Sequence, residues 1–260
     1  MMNVIRGLLI GLANLVPGIS GATMAVILGV YDELIASISK LVKFKLKRED
    51  SLFMLTIGIG IITAIFIGSA GMSFLLARFP ALAYSTFFGL VLGSIPKLYK
   101  EIEKLKLLYF VSGILLMITL ELTSRAVRLS GTYLILSGFV AACAMILPGL
   151  SGSLVLLIFG IYDDIVSAVA RIEFSIIIPF GVGVIAGIAV MSLIMNWLSE
   201  EFPKQTKSFT FGLIIASLLK IEPFTKESLG FTKLIFILLM ITIFGYISFK
   251  FSQSSHASAR

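Results

Sequence analysis

The sequence lacks most of what soluble enzymes work with. It has one cysteine, Cys143, which leaves no partner for an intramolecular disulfide, and one histidine, His256, in a polar C-terminal stretch. With no histidine inside an apolar segment, a histidine nucleophile, a histidine general base and a histidine metal site are all excluded from the body of the chain. No G-x-x-x-x-G-K-[ST] run is present, which excludes a P-loop nucleotide site. Charged residues are also scarce, at 13% of 260 residues, where soluble domains carry about 25%. Neither a metal nor a cofactor is expected.

What the chain has instead is apolar length: 58% hydrophobic residues and a mean hydropathy of +1.07. Stretches at 52–76, 107–122, 176–198 and 234–249 approach or reach the roughly 20 residues that cross a hydrocarbon core of about 30 Å as a helix. They lack the alternation of barrel strands, so helices are expected to do the crossing. Arg6 ahead of an apolar run has the look of a signal peptide. The run passes into Asn14 and Pro17-Gly18 with no small-residue cleavage pattern, so the N-terminal segment is expected to be retained. The net charge of +7 is scattered between apolar spans and so reads as a topology signal, with no nucleic-acid partner.

The chain repeats itself. Pro17-Gly18-Ile19-Ser20-Gly21 returns 131 residues later as Pro148-Gly149-Leu150-Ser151-Gly152, and eight of the sixteen positions from Pro17 to Asp32 are identical in the second copy. Further on the offset is 123: Phe79-Pro80 matches Phe202-Pro203, Phe88-Gly89-Leu90 matches Phe211-Gly212-Leu213, and Lys97 matches Lys220. The basic loop at 40–50 accounts for the change of offset. If the loops at 40–50, 97–106 and 199–208 and both termini lie in the cytoplasm, that side holds 14 of the 21 Lys and Arg residues, which satisfies the positive-inside rule. Three spans then separate the two motifs, so the copies enter from opposite faces, the construction of many secondary transporters.

Each Pro-Gly-x-Ser-Gly motif divides its apolar stretch into arms too short to span, about 20 Å for 4–16 and about 24 Å for 22–37. Proline removes a donor and glycine allows left-handed torsions, so the chain can reverse at Pro17, Gly18, Pro148 and Gly149. Freed backbone groups must then be buried in protein or line a wet cavity. The expected fold is therefore an all-α polytopic membrane protein, an inverted repeat with two re-entrant helical hairpins and about six further membrane helices. The first repeat covers 1–106, with its hairpin at 4–38 and spans at about 51–77 and 81–98. A linking span occupies 107–130. The second repeat covers 131–222, with its hairpin at 134–169 and spans at about 174–198 and 208–221, and a final span and polar tail occupy 231–260.

At each tip a serine, Ser20 or Ser151, precedes a helix start, and serine is a preferred N-cap. Unpaired N–H groups at a helix start favour an anion. Ser20, Gly21, Thr23, Ser151, Gly152 and Ser153, with Asn14 and Arg6, are thus candidate phosphate or carboxylate ligands. Tyr31, Asp32, Glu33, Tyr162, Asp163, Asp164 and Glu121 are candidates for gating or proton coupling, the first six placed roughly 15 to 20 Å past the breaks, near the hairpin mouths.

The segments Gly11-Leu12-Ala13-Asn14-Leu15-Val16-Pro17-Gly18-Ile19-Ser20-Gly21 and Ala144-Met145-Ile146-Leu147-Pro148-Gly149-Leu150-Ser151-Gly152-Ser153, with Gly29-Val30-Tyr31 and Gly160-Ile161-Tyr162, resemble a bacterial family of polyprenyl-phosphate (undecaprenyl-phosphate) transporters, long catalogued as a domain of unknown function. The resemblance covers nearly the whole chain. It implies a multi-pass protein of the cytoplasmic membrane, not an enzyme, that returns undecaprenyl phosphate from the outer to the inner leaflet for reuse in cell-envelope synthesis. The residues by themselves reach only a carrier with a central anion site. They leave open a carrier of small anions or solutes, and a polyprenyl pyrophosphate phosphatase, although that chemistry would want a glutamate and a histidine where this chain has Asn14 and no histidine before His256.

Overall fold

The computed structural model describes residues 1–16, 18–122, 130–219, 221, 223 and 231–254. These form twelve helices: α1 Met2–Asn14, α2 Gly21–Ile27, α3 Tyr31–Val42, α4 Arg48–Arg78, α5 Pro80–Glu101, α6 Leu107–Leu122, α7 Gly131–Ile146, α8 Gly152–Ile158, α9 Tyr162–Arg171, α10 Phe174–Glu201, α11 Pro203–Leu218 and α12 Phe231–Ser254. Pro17, the first of the expected hairpin breaks, lies outside the described residues, as does the side chain of Glu121.

Among the described residues four segments are long and apolar enough to cross a membrane: Arg48–Ser69, Pro80–Glu101, Phe174–Glu201 and Lys233–Lys250. A fifth results if α8 and α9, bent by 117° against each other, are taken as one broken span. The expectation of about six membrane helices besides the hairpins is therefore too high for the described residues. α6 and α11 fall short because each has 16 residues, about 24 Å of helix, against a hydrocarbon core of about 30 Å. In the candidate spans of α4, α10 and α12 only 22%, 17% and 11% of residues are buried, against 44% in α5. The first three thus present long apolar faces outward, with side chains such as Phe66, Ile67 and Ile185 exposed, as lipid requires.

Glycine sets how closely the helices approach, and the same contacts recur down the chain. α1 packs on α4 as α7 packs on α10. A Cβ on Gly60 would overlap the Val4 carbonyl oxygen, and one on Gly183, 123 residues later, would overlap the carbonyl oxygen of Ile135, 131 residues after Val4. Gly7 lies against the Ile57 backbone as Gly138 lies against that of Phe180. α5 packs on α12 through Gly89 and Gly93 against Ile241 and Gly245, and α11 packs on α6 through Gly212 against Phe110. Close backbone approach through small residues is how membrane helices associate where lipid tails compete for every apolar side chain.

α6 and α12 thus hold equivalent places, α6 against α11 and α12 against α5, each packed on the proline-started helix of the other half. The sequence carried a signal for this: Ile114-Leu115-Leu116-Met117-Ile118-Thr119 of α6 recurs at the same 123 offset as Ile237-Leu238-Leu239-Met240-Ile241-Thr242 of α12. Both threonines donate to a carbonyl one turn back, Thr119 to Leu115 at 2.9 Å and Thr242 to Leu238 at 2.7 Å. Matched helix starts follow the same pattern. α5 and α11 each begin with proline, at Pro80 and Pro203, after a phenylalanine with φ, ψ of −136°, 53° or −128°, 52°. Proline's fixed φ suits the first helical position, where its missing N–H would have had no partner.

Candidate functional site

The glycines of the two Pro-Gly motifs adopt one backbone form. Gly18 has φ +81° and Gly149 has φ +91°, both left-handed torsions that only glycine takes freely. After each tip the chain runs as a seven-residue helix, α2 or α8, and breaks again at a second glycine, Gly29 with φ +69° or Gly160 with φ +68°. The sequence reading took 22–37 as one arm. The second break divides it, because a left-handed glycine ends a helix and starts the chain in a new direction.

That break moves the tyrosines. Tyr31 is buried, and its hydroxyl donates to the Ile146 carbonyl, 3.1 Å away at the end of α7 in the other half. Its counterpart Tyr162 is half-buried, while Asp32, Glu33, Asp163 and Asp164 are exposed in the first turns of α3 and α9.

The tips touch. The backbone N–H of Gly149 donates to Oγ1 of Thr23 at 2.7 Å, a buried bond between residues 126 positions apart. Behind Gly149 stands α11: a Cβ there would come within 2.5 Å of the carbonyl carbon and oxygen of Leu213. In the first hairpin, Oδ1 of Asn14 accepts the Gly21 N–H at 2.9 Å, so the side chain that closes α1 also occupies the first donor of α2. Ser20 and Ser151 stand at the N-cap positions with extended backbone torsions, but neither side chain makes a capping bond. The Ser20 hydroxyl is buried without a hydrogen-bond partner, and the Ser151 hydroxyl pairs with that of Ser153 at 2.7 Å. Gly18, Gly149, Ser151 and Ser153 line a small cavity of about 50 Å³ with Met117 and two leucines of α8. Arg6, two turns before Asn14 on α1, donates to Oδ1 of Asn3 at 3.1 Å, and its Nε is buried without a partner.

A larger cavity, about 580 Å³, lies between the start of α3, the C-terminal ends of α5 and α10 and the start of α11. Val26, one turn past Thr23, lines it, and so does Ile214, the neighbour of the Leu213 that backs Gly149. Its inner wall therefore lies beside the paired tips. Its charged lining is Asp32, Lys97, Glu101, Glu200 and Lys207. Glu200 accepts from Asn196 at 2.7 Å, and Lys97 pairs with Glu101 at 3.7 Å. Close to these helix ends, Lys204 and Glu103 form an ion pair at 2.7 Å, and that hydrogen bond holds the Glu103 carboxyl below the usual carboxylate range. Sequence reasoning had used Lys97 only as a marker of the repeat. Its match with Lys220 and its place next to Pro96, inside a span-length helix, were the available signals.

A chain whose described residues are helical, with four lipid-length segments, outward apolar faces and a charge-lined cavity at the break between α2 and α3, is a multi-pass membrane protein. It belongs to the undecaprenyl phosphate translocase-like family, whose model matches residues 10–234. Among curated proteins it is similar to a polyprenyl-phosphate transporter of Vibrio cholerae serotype O1, with 35% identity over 87% of this chain and 78% of the relative. It is also similar to a polyprenyl-phosphate transporter of Staphylococcus aureus, with 30% identity over 95% of this chain and 93% of the relative. No solved structure matches the chain.

Proposed function

We propose that the protein is a translocase of polyprenyl phosphate, moving undecaprenyl phosphate from the outer to the inner leaflet of a bacterial cytoplasmic membrane so that the carrier can be reused for envelope precursors. Family membership supplies the substrate class. The observation that carries the reading is the direct bond between the hairpin tips, Gly149 N–H to Thr23 Oγ1, beside a cavity of about 580 Å³ with five charged residues in its lining. In this reading the chain is an inverted repeat with two re-entrant hairpins, and both termini are cytoplasmic. The cavity then opens to the cytoplasm, because the loops at 97–106 and 199–208 are assigned there by their charge.

A phosphate head group needs polar surroundings to cross the membrane midplane, while its isoprenoid tail can remain in lipid. The tips supply the hydroxyls of Ser20, Ser151 and Ser153 and the N–H of Gly152, while Asn14 and Thr23 are committed to holding the tips together. Nothing in this reading breaks a bond, so the protein works as a carrier and not as a phosphatase.

Titration of the purified protein in detergent with undecaprenyl phosphate tests it. Wild type is expected to bind saturably, and the double variant Ser20→Ala/Ser151→Ala to bind at least about tenfold more weakly, the worth of one hydrogen bond to a charged group. Absence of binding by folded wild type would overturn the lipid assignment.

A further inference from the structure

We infer that Lys97 is the cationic anchor for the phosphomonoester head group, and that Glu101 is the built-in competitor that holds the lysine when no substrate is bound. This rests on the proposed function for the lipid, and on geometry for the site.

Basic residues at membrane-helix ends usually reach outward to water and head groups. Lys100 and Lys204 do so, both being exposed, and Lys207, although it borders the large cavity, is exposed as well. Lys97 does not: its side chain is 14% exposed and turned into the large cavity. Its ammonium group lies beside Gly29, where a Cβ would stand 3.9 Å from Nζ. That places the charge at the break between α2 and α3, beside the glycine two residues before Tyr31, on a wall that also holds Val26 of α2. A lysine drawn into a partly apolar cavity carries a desolvation cost, which an anion arriving there offsets.

The pairing with Glu101 has the character of an occupancy that can be given up. At 3.7 Å it is longer than a charge-assisted hydrogen bond. It also runs lysine to glutamate along the helix, the less favourable order for an i,i+4 pair. A phosphomonoester carries more charge than a carboxylate and three acceptor oxygens, so it is the better partner for the same ammonium group. With Asp32 and Glu200 also facing the cavity, an anion depends on its two lining lysines for entry, and Lys97 is the inner and less exposed of the two, Lys207 being exposed.

A purely structural Lys97–Glu101 pair and an anchor with a competitor predict different signs. If the pair only braces α5, losing either partner weakens the protein in the same way. If Glu101 competes for the lysine, Lys97→Gln is expected to weaken binding about tenfold or more, and Glu101→Gln to tighten it about two- to fivefold. Lys97→Arg, which keeps the charge, should retain most of the affinity.

The experiment is equilibrium titration of the full-length protein and these three variants in detergent, with undecaprenyl phosphate, uncharged undecaprenol and inorganic phosphate as probes. Opposite shifts for Lys97→Gln and Glu101→Gln with undecaprenyl phosphate, and none with undecaprenol, support the inference. Wild-type affinity in Lys97→Gln, or a loss of affinity in Glu101→Gln, overturns it and leaves the translocase reading standing. If Lys97→Gln fails to fold, the sign of the Glu101→Gln shift decides alone. Lysine-dependent binding of inorganic phosphate by a protein that ignores the lipid would keep the anchor and sink the lipid reading. Wild type that binds neither phosphate probe overturns both.

Discussion

Gly183→Leu and Gly60→Leu should each prevent the chain from reaching its folded state, and to the same degree. At Gly183 any Cβ would overlap the carbonyl oxygen of Ile135, and at Gly60 that of Val4. These neighbours are backbone, not flexible side-chain ends, so α7 and α10, or α1 and α4, must separate to admit a side chain. Small insertions into packed interiors cost about 1–3 kcal/mol, and here a whole helix pair is pried apart. Total stabilities run about 5–15 kcal/mol. Detergent size-exclusion profiles and thermal melting of the two variants would check this: both should aggregate or melt far below wild type. Gly58→Leu, where a Cβ meets nothing within 4 Å, should behave like wild type.

Gly149→Ala should be the most damaging single change at the tips. Its φ of +91° costs an L-residue about 1–2 kcal/mol, and its Cβ would press on the Leu213 backbone at 2.5 Å. Relief requires the turn to withdraw from α11, which also carries its N–H away from Thr23. The expected outcome is loss of lipid binding with most of the helix content retained, read by titration beside circular dichroism. Full binding by Gly149→Ala would mean that the tip does not need its present shape.

Much of this arrangement was written in the sequence, because glycine and proline punctuate a membrane helix more plainly than any other residues. Pro148-Gly149 and its earlier copy marked the turns, and the apolar lengths marked α4, α5, α10 and α12. The second break at Gly29 and Gly160 was harder to read. A lone glycine inside an apolar run is consistent with a continuous helix, and only its torsion shows otherwise. The serines were placed correctly at helix starts, but position does not fix a rotamer, and their hydroxyls point elsewhere. The equivalence of α6 and α12 does not follow from the Pro-Gly spacing, although the shared Ile-Leu-Leu-Met-Ile-Thr carries it. Lys97 was overlooked for a different reason. A lysine at the end of a span looks like any other interfacial lysine until neighbouring helices wall it in.

The bond from Gly149 to Thr23 has no possible mirror image. The residue 131 positions after Thr23 is Leu154, whose side chain has nothing to accept a hydrogen bond from Gly18. Should the two halves exchange roles across the bilayer, as alternating access by a repeat demands, the contact between the tips would have to be rebuilt without it. One buried hydrogen bond is worth about 1 kcal/mol net, or roughly a fivefold population ratio. On the proposed translocase reading, the carrier would therefore rest with a preference for the face it now presents, and Thr23, which has no counterpart in the second motif, would contribute to setting it.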